Sequence, residues 1–251
     1  MNFEEYRTMR EVEDGFWWYT GFRRTYGELL DRFCPGEVRG RVLDAGCGTG
    51  AFLAFLQERY EPDRLAGLDF SAEALRFCRE RGYRDLVEAS VTELPFPDTS
   101  FDFVASLDVL CHRSIPDDLV PLREFRRVLR PGGCLLLNLP AFPSIYSEHD
   151  VAVHTCRRYR RPEVMRKLRE AGLEPLWVTY ANSILFPAVA AVRIMGKRSL
   201  EPEPEEAKSD LKPHPPALNS LLAGVLGVEA RLAGRVRMPF GSSVTAVARA
   251  V

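Results

Sequence analysis

The sequence has no surplus of charge. Its 34 Lys and Arg face 35 Asp and Glu, a net charge of -1. That argues against a general nucleic-acid binder, which usually carries a basic excess; a local basic patch stays open, and no nucleic-acid partner is expected. Lysine itself is scarce: four of the 34 cations are Lys and 30 are Arg. Cysteine pairs are missing too. Cys34, Cys47, Cys78, Cys111, Cys134 and Cys156 form no C-x-x-C and match no zinc framework, so no metal is expected. They read as reduced, buried residues of a cytoplasmic protein. The opening residues, MNFEEYRTMREVEDGF, lack the apolar core of a signal peptide. The longest apolar run, Ile184 to Met195, is twelve residues broken by Arg193, against the ~20 that a bilayer needs. No membrane span is therefore expected, and no internal repeat is visible.

What is present is an ordinary globular composition, 46% apolar and 27% charged over 251 residues. This excludes a disordered chain and a coiled coil, and fits one α/β domain. Residues 3–34 read as two short helices around the aromatic knot Phe16-Trp17-Trp18-Tyr19. From Arg41 onward strands and helices alternate. RVLDAG, RLAGLDF, DLVEAS, FDFVASLD and CLLLNLP are strands, and the last suits burial on both faces. Between them, Phe52, Leu53, Phe55, Leu56 and Tyr60 fall at helical spacing, as do Ala74, Leu75, Phe77 and Cys78 after a Ser71 cap. A third helix begins near Asp117 and stops at Arg130-Pro131-Gly132-Gly133. Such alternation predicts βαβ units and a parallel sheet. Later, Pro162 opens a helix that Gly172 closes, and PLWVTYA and SSVTAVARA are strands. Residues 201–216 are Pro- and Glu-rich and read as a mobile loop before an amphipathic helix.

The sharpest motif is VLDAGCGTG, residues 42–50. A buried strand leads through Asp44 to Gly46, Gly48 and Gly50 and into a helix. The glycines let backbone turn tightly and approach a ligand at the carboxyl end of the sheet. The spacing is G-x-G-x-G, where dinucleotide folds have G-x-G-x-x-G. Asp44 stands where a pyrophosphate would be repelled and an ammonium attracted. Asp69 ends the second strand 19 residues after Gly50, near the ~20 expected of a ribose-binding carboxylate.

These residues resemble the class I S-adenosylmethionine-dependent methyltransferases, and are most similar to the bacterial small-molecule group that includes quinone-biosynthesis enzymes. VLDAGCGTG resembles that family's cofactor loop and LDFS its ribose-binding end. LPFPDTSFDFVASLDVLCH and LREFRRVLRPGGCLLLNLP resemble the runs into strands four and five. The likeness covers roughly residues 41–182. It implies an α/β, Rossmann-like doubly wound sheet of seven mostly parallel strands, the last antiparallel, with helical lid segments. It implies one domain: an N-terminal cover over 1–36, a core over 37–182, a helical lid over 183–240 and a last strand over 241–251. It also implies S-adenosylmethionine as cofactor and S-adenosylhomocysteine as product. Gly46, Cys47 and Gly48 would run along its methionine and ribose, with Asp44 on the amino group and Asp69 on the ribose hydroxyls. Phe70 would lie on the adenine, Val91 and Thr92 at its edge, and Leu107 near the cofactor. Ser90 stands where such enzymes often have an acidic residue for the adenine amine, and a hydroxyl accepts more weakly.

Two further segments carry candidates. Trp18 could close the cofactor pocket and Arg23 could pair with the methionine carboxylate, or the helices could simply pack aromatics on the sheet. SEHDVAVHTCRRYRRP, residues 147–162, follows strand five on the acceptor side. His149 or His154 could take a proton from an acceptor hydroxyl near neutral pH, with Asp150 orienting that His or a nearby Arg. Arg157, Arg158 and Tyr159, with His112 after strand four, would bind an acceptor that is anionic or lipid-like. The alternative is a solvated loop with its polar groups satisfied locally. Peripheral membrane contact by the lid and the oligomeric state stay open. The expected activity is methyl transfer to a small molecule. A cofactor-binding protein without activity and a nicotinamide-dependent dehydrogenase are the competing readings.

Overall fold

A computed structural model describes residues 3–196 and 214–251. Most of the Pro- and Glu-rich segment lies outside the described residues. Two helices open the fold, α1 (Phe3–Val12) and α2 (Trp17–Phe33). The core continues as β1 (Arg41–Ala45), α3 (Ala51–Tyr60), β2 (Arg64–Asp69), α4 (Ala72–Glu80), β3 (Leu86–Glu88), β4 (Phe101–Leu107), α5 (Leu119–Val128) and β5 (Leu129–Pro140). Then come α6 (Glu148–Ala152), α7 (Arg161–Glu170), β6 (Leu173–Ala181), α8 (Phe186–Gly196), α9 (Pro216–Ala233) and β7 (Ser243–Ala250).

The strands form one seven-stranded sheet in the order β3-β2-β1-β4-β5-β7-β6. Strands β1 to β5 pair in parallel, and β7 pairs antiparallel with both β5 and β6. Strand alternation divides the core into two layers. In β1, Leu43 and Ala45 join the layer that holds Leu122 and Phe125 of α5 and Val164 and Leu168 of α7. Val42 joins the opposite layer with Phe22, Leu29 and Leu30 of α2 and Phe52 and Leu56 of α3. Ser71 caps α4 as expected, its side chain accepting from the Ala74 N–H. The expected stop at Arg130-Pro131-Gly132-Gly133 is a correction of detail. Helix α5 ends at Val128, and these residues open β5, whose register against β4 shifts between Phe101 and Phe103.

Helix α9 lies against α2. Leu226 packs so closely on Gly21 that a Cβ there would meet its Cδ1 at 2.4 Å. The Trp17 N–H donates to Asn219 Oδ1 at 2.9 Å. The buried carboxylate of Glu229 accepts from the backbone N–H groups of Ser183 and Ile184, which anchors the same helix to the end of β6. Among the described residues no helix is long and apolar enough to cross a membrane.

Candidate functional site

The loop after β1 carries three glycines in the left-handed region, with φ of 92° at Gly46, 52° at Gly48 and 88° at Gly50. At Gly46 space matters as much as φ: a Cβ would meet Val109 Cγ2 at 2.2 Å. The loop after β4 therefore rests on the loop after β1. Gly50 leads directly into α3.

Asp44 is 2% exposed. Its Oδ2 is buried without a hydrogen-bond partner. Desolvation, and then the charge of Asp69, push its carboxyl up to about 8. An orphaned acceptor of this kind is costly unless something with N–H groups supplies a partner. Asp69, at the end of β2, is buried as well. Its Oδ2 accepts from the Gly48 N–H at 2.9 Å, and its Oδ1 accepts from the Ser71 N–H at 3.0 Å and the Tyr6 hydroxyl at 3.5 Å. Burial raises its pKa while those backbone bonds oppose the rise.

Helix α1 covers this loop. Besides Tyr6 on Asp69, Met9 Cε would stand 3.2 Å from a Cβ at Gly48. Just past the helix, buried Glu13 accepts from the Thr49 hydroxyl of the glycine loop and from Arg81 Nη2, the latter at 2.8 Å. Arg81 also reaches Asp14 at 2.7 Å and donates from Nε to the Thr49 carbonyl at 2.9 Å. None of Tyr6, Glu13 or Arg81 was marked by sequence, because each acts through a partner far along the chain.

The other expected cofactor contacts lie on α2, on the loops after β1, β2 and β3, and at the end of β4. Phe70 is 52% exposed, its ring 5.6 Å from that of His112. Val91 is buried in the core, while Ser90 and Thr92 bond each other through their hydroxyls at 2.7 Å. Cys47 is buried beside Cys78, their sulfurs 3.8 Å apart. Leu107 ends β4 and Trp18 lies half-buried against Phe22. Arg23 departs from expectation: its guanidinium donates to the carbonyls of Glu13 at 2.9 Å and Asp14 at 2.8 Å, tying down the turn after α1.

The segment after β5 is folded, which corrects the expectation of a loop poised over the acceptor. Ser147 and Asp150 form a capping box that starts α6. Asp150 then pairs bidentately with Arg158, which also donates to the Ala141 carbonyl at 2.9 Å. Both side chains are buried, so Asp150 orients an arginine and Arg158 offers no charge to an acceptor. Arg157 bonds the carbonyls of Ile115 and Pro116 and stands 3.7 Å from Asp118. Tyr159 is 1% exposed, its hydroxyl on the Leu110 carbonyl at 3.1 Å. The histidines fare differently. His154, at a left-handed φ of 58°, lies tilted beside His112 with ring centroids 5.6 Å apart, and His112 in turn adjoins Phe70. Burial pushes the His112 pKa down to about 4 and lowers that of His154, so both rings are neutral near pH 7. His149 sits half-buried in the first turn of α6.

Sequence reading also passed over Asp108. Leu-Asp recurs at or beside three strand ends, at Leu43-Asp44 in β1, Leu68-Asp69 in β2 and Leu107-Asp108 just past β4. That repeated dipeptide was the available signal.

The doubly wound sheet thus carries a glycine loop after β1, with the buried carboxylates of Asp44 and Asp69 at the same edge. Residues 43–137 match the family model described as Methyltransferase domain. Over 144 residues the chain is 36% identical to the fatty-acid O-methyltransferase of Mycolicibacterium smegmatis, covering 56% of this chain and 46% of that protein. Over 121 residues it is 36% identical to the demethylmenaquinone methyltransferase of Listeria welshimeri, covering 43% and 50%. The chain thus matches about half the length of these curated relatives. Among solved structures, an S-adenosylmethionine-dependent methyltransferase from Thermotoga maritima superposes with a TM-score of 0.58 at 18% identity, over 99% of this chain and 96% of that one. Geranyl diphosphate C-methyltransferase from Streptomyces coelicolor, solved with S-adenosyl-L-homocysteine, gives 0.57 at 17% identity, over 89% and 77%. These structural likenesses concern the fold.

Proposed function

We propose that this chain transfers a methyl group from S-adenosylmethionine to a small molecule with an apolar body. The carrying observation is the buried, unpartnered Oδ2 of Asp44 beside the left-handed glycine loop. An ammonium group would satisfy it. In this reading Gly46, Cys47 and Gly48 pass along the methionine and ribose. Asp69 takes the ribose hydroxyls in place of Tyr6. Phe70 lies on the adenine, Val91 and Thr92 at its edge, and the Ser90 hydroxyl accepts from the adenine amine. Trp18 and Leu107 close the donor side. Bound S-adenosylmethionine supplies a methyl on a positively charged sulfur, and the protein mainly aligns it.

On the acceptor side, His149 and His154 are the candidate bases, and His112, held near 4 by burial, is a contact for the acceptor. The anionic-acceptor reading loses its support, since Arg157 and Arg158 are held by internal partners. The lipid-like reading keeps some. The matched relatives are named for fatty acids and demethylmenaquinone, and Val192, Leu218, Leu221 and Val228 of α8 and α9 are exposed. Within the segments expected as covers, we assign the described residues 3–36 to the donor side and 183–196 with 214–240 to the acceptor side.

Calorimetry with S-adenosylhomocysteine tests the donor site. Asp69→Ala should weaken binding tenfold or more, about 1.4 kcal/mol. Unchanged affinity would remove Asp69 from the ribose role. Label transfer from S-adenosylmethionine to fatty acids and to demethylated quinols tests the acceptor, and binding without transfer to any acceptor would favour a cofactor-binding protein. The G-x-G-x-G spacing gives a nicotinamide reading no support.

A further inference from the structure

Of the three aspartates in these Leu-Asp pairs, Asp108 has no part in the proposed donor contacts. It begins the loop after β4 with a left-handed φ of 58°. Asn138 of β5 donates from Nδ2 to both of its carboxylate oxygens at 3.1 Å, and the Asp108 N–H donates to the Asn138 carbonyl at 2.9 Å. Thr245 of β7 donates its hydroxyl to Asn138 Oδ1 at 2.7 Å. That bond fixes which end of the amide faces Asp108. The carboxylate is therefore held from behind by neutral partners on two other strands.

From the front it is open. Asp108 is accessible to solvent, yet protein crowds it closely enough that burial pushes its carboxyl up to about 6. Asp108 is thus exposed but closely surrounded by protein. It stands beside the glycine loop, because the next residue, Val109, is the one that packs on Gly46. Among the described residues no cation forms an ion pair with Asp108. Arg158, whose charge draws its pKa down from a distance, is spent on Asp150. With protein this close, an opposite charge is attracted more strongly than in bulk water.

We propose that Asp108 is the counter-ion for the sulfonium of the methyl donor, so that the crevice distinguishes the donor from its demethylated product. The proposal rests on the donor site proposed around Asp44 and Asp69. S-adenosylmethionine is positive at sulfur, and S-adenosylhomocysteine is a neutral thioether there. The carboxylate attracts only the first, so loss of the methyl also loosens the product. Asp108 would act on the charge of the reacting sulfur and give up no proton.

The groups facing Asp108 do not confuse its titration. Tyr19 and Tyr26 of α2 are kept protonated by burial and then by nearby carboxylates, Asp108 among them. Cys111, in the same loop, is likewise held as a thiol by burial. Arg158 is a guanidinium already paired with Asp150. Asp44, raised to about 8, stays mostly protonated up to about pH 7, where the titration of Asp108 is nearly complete, so the ratio below pH 7 is the one that reads Asp108.

The test is calorimetry of S-adenosylmethionine and S-adenosylhomocysteine on the whole chain between about pH 5 and pH 8. The wild-type preference for S-adenosylmethionine should grow as pH rises through the carboxylate's titration. Asp108→Asn should cut that preference about tenfold, about 1.4 kcal/mol, flatten its pH dependence and leave S-adenosylhomocysteine affinity in place. A wild-type ratio flat with pH, or an Asp108→Asn ratio equal to the wild type's, overturns the proposal while the donor site stands. The wild-type profile decides the matter even where the variant does not fold. If neither ligand binds the wild type, the donor reading itself falls.

Discussion

Asp150 accepts from Arg158 twice, Nε to Oδ1 at 2.9 Å and Nη2 to Oδ2 at 3.0 Å, with both side chains buried. The same Oδ2 also accepts from the Ser147 N–H that opens α6. One carboxylate thus starts a helix and neutralises a buried arginine. Removing it strands that arginine. Asp150→Ala should cost about 3 kcal/mol of stability, the scale for breaking a buried pair from one side. S-adenosylhomocysteine affinity should not change at a temperature where the variant is folded. Denaturant unfolding and calorimetry read the two effects separately, and a variant that keeps wild-type stability would overturn the structural assignment.

Tyr6 occupies the Asp69 oxygen that the ribose would need. Tyr6→Phe removes that competitor. With a net hydrogen bond worth ~1 kcal/mol, S-adenosylhomocysteine should bind up to about fivefold more tightly. Weaker binding would show instead that the Tyr6 hydroxyl itself touches the ligand.

Gly46 is barred to other residues twice over, by its φ of 92° and by Val109. Gly46→Ala should abolish measurable cofactor binding. Adding Val109→Ala relieves the clash but leaves the backbone strain, which costs on the order of 1–3 kcal/mol. The double variant should therefore recover part of the affinity. Full recovery would mean the φ requirement is unimportant, and none would mean Val109 is needed for its own contacts.

Asp44 is raised to about 8, well above the unfolded carboxylate value of ~3.9. Between those values the folded chain holds a proton that the unfolded chain has released. The resulting stability is fully present below the lower value and is lost as pH rises towards the upper one. Asp44→Asn keeps a neutral group at every pH, so its melting temperature should exceed the wild type's increasingly from pH 5 to pH 8. A constant difference across that range would show that Asp44 is ionised throughout.

Local chemistry was enough to locate the βα units and the two buried carboxylates beside the glycine loop. Asp44 and Asp69 sit at strand ends, where an apolar run simply stops and the ligand crevice begins. Asp150 and Arg158 show the opposite case. Two histidines, an aspartate and four arginines in one short segment look like an acceptor site. The Asp150 and Arg158 charges cancel internally, because the segment folds back on itself through α6 and the bridge between Ala141 and Tyr159. The pairings of Tyr6 with Asp69, of Glu13 with Arg81 and of Thr245 with Asn138 join distant stretches, and no spacing announces them. The turn at Arg130-Pro131-Gly132-Gly133 carried stop chemistry for α5, but it also opens β5, since glycine and proline mark a change of direction without specifying the next element.

The placement of β7 has a consequence for synthesis on the ribosome. Strand β6 pairs only with β7, and β7 is wedged between it and β5. A nascent chain that ends before residue 243 has five paired strands and a sixth with no neighbour. It also lacks Thr245, so nothing yet turns the Asn138 amide towards Asp108. The glycine loop, Asp44 and Asp69 belong to strands made earlier, while the bond that sets the Asn138 amide against Asp108 waits for β7. On the proposals above, a chain cut short before β7 would keep the donor contacts and lose the arrangement that tells donor from product.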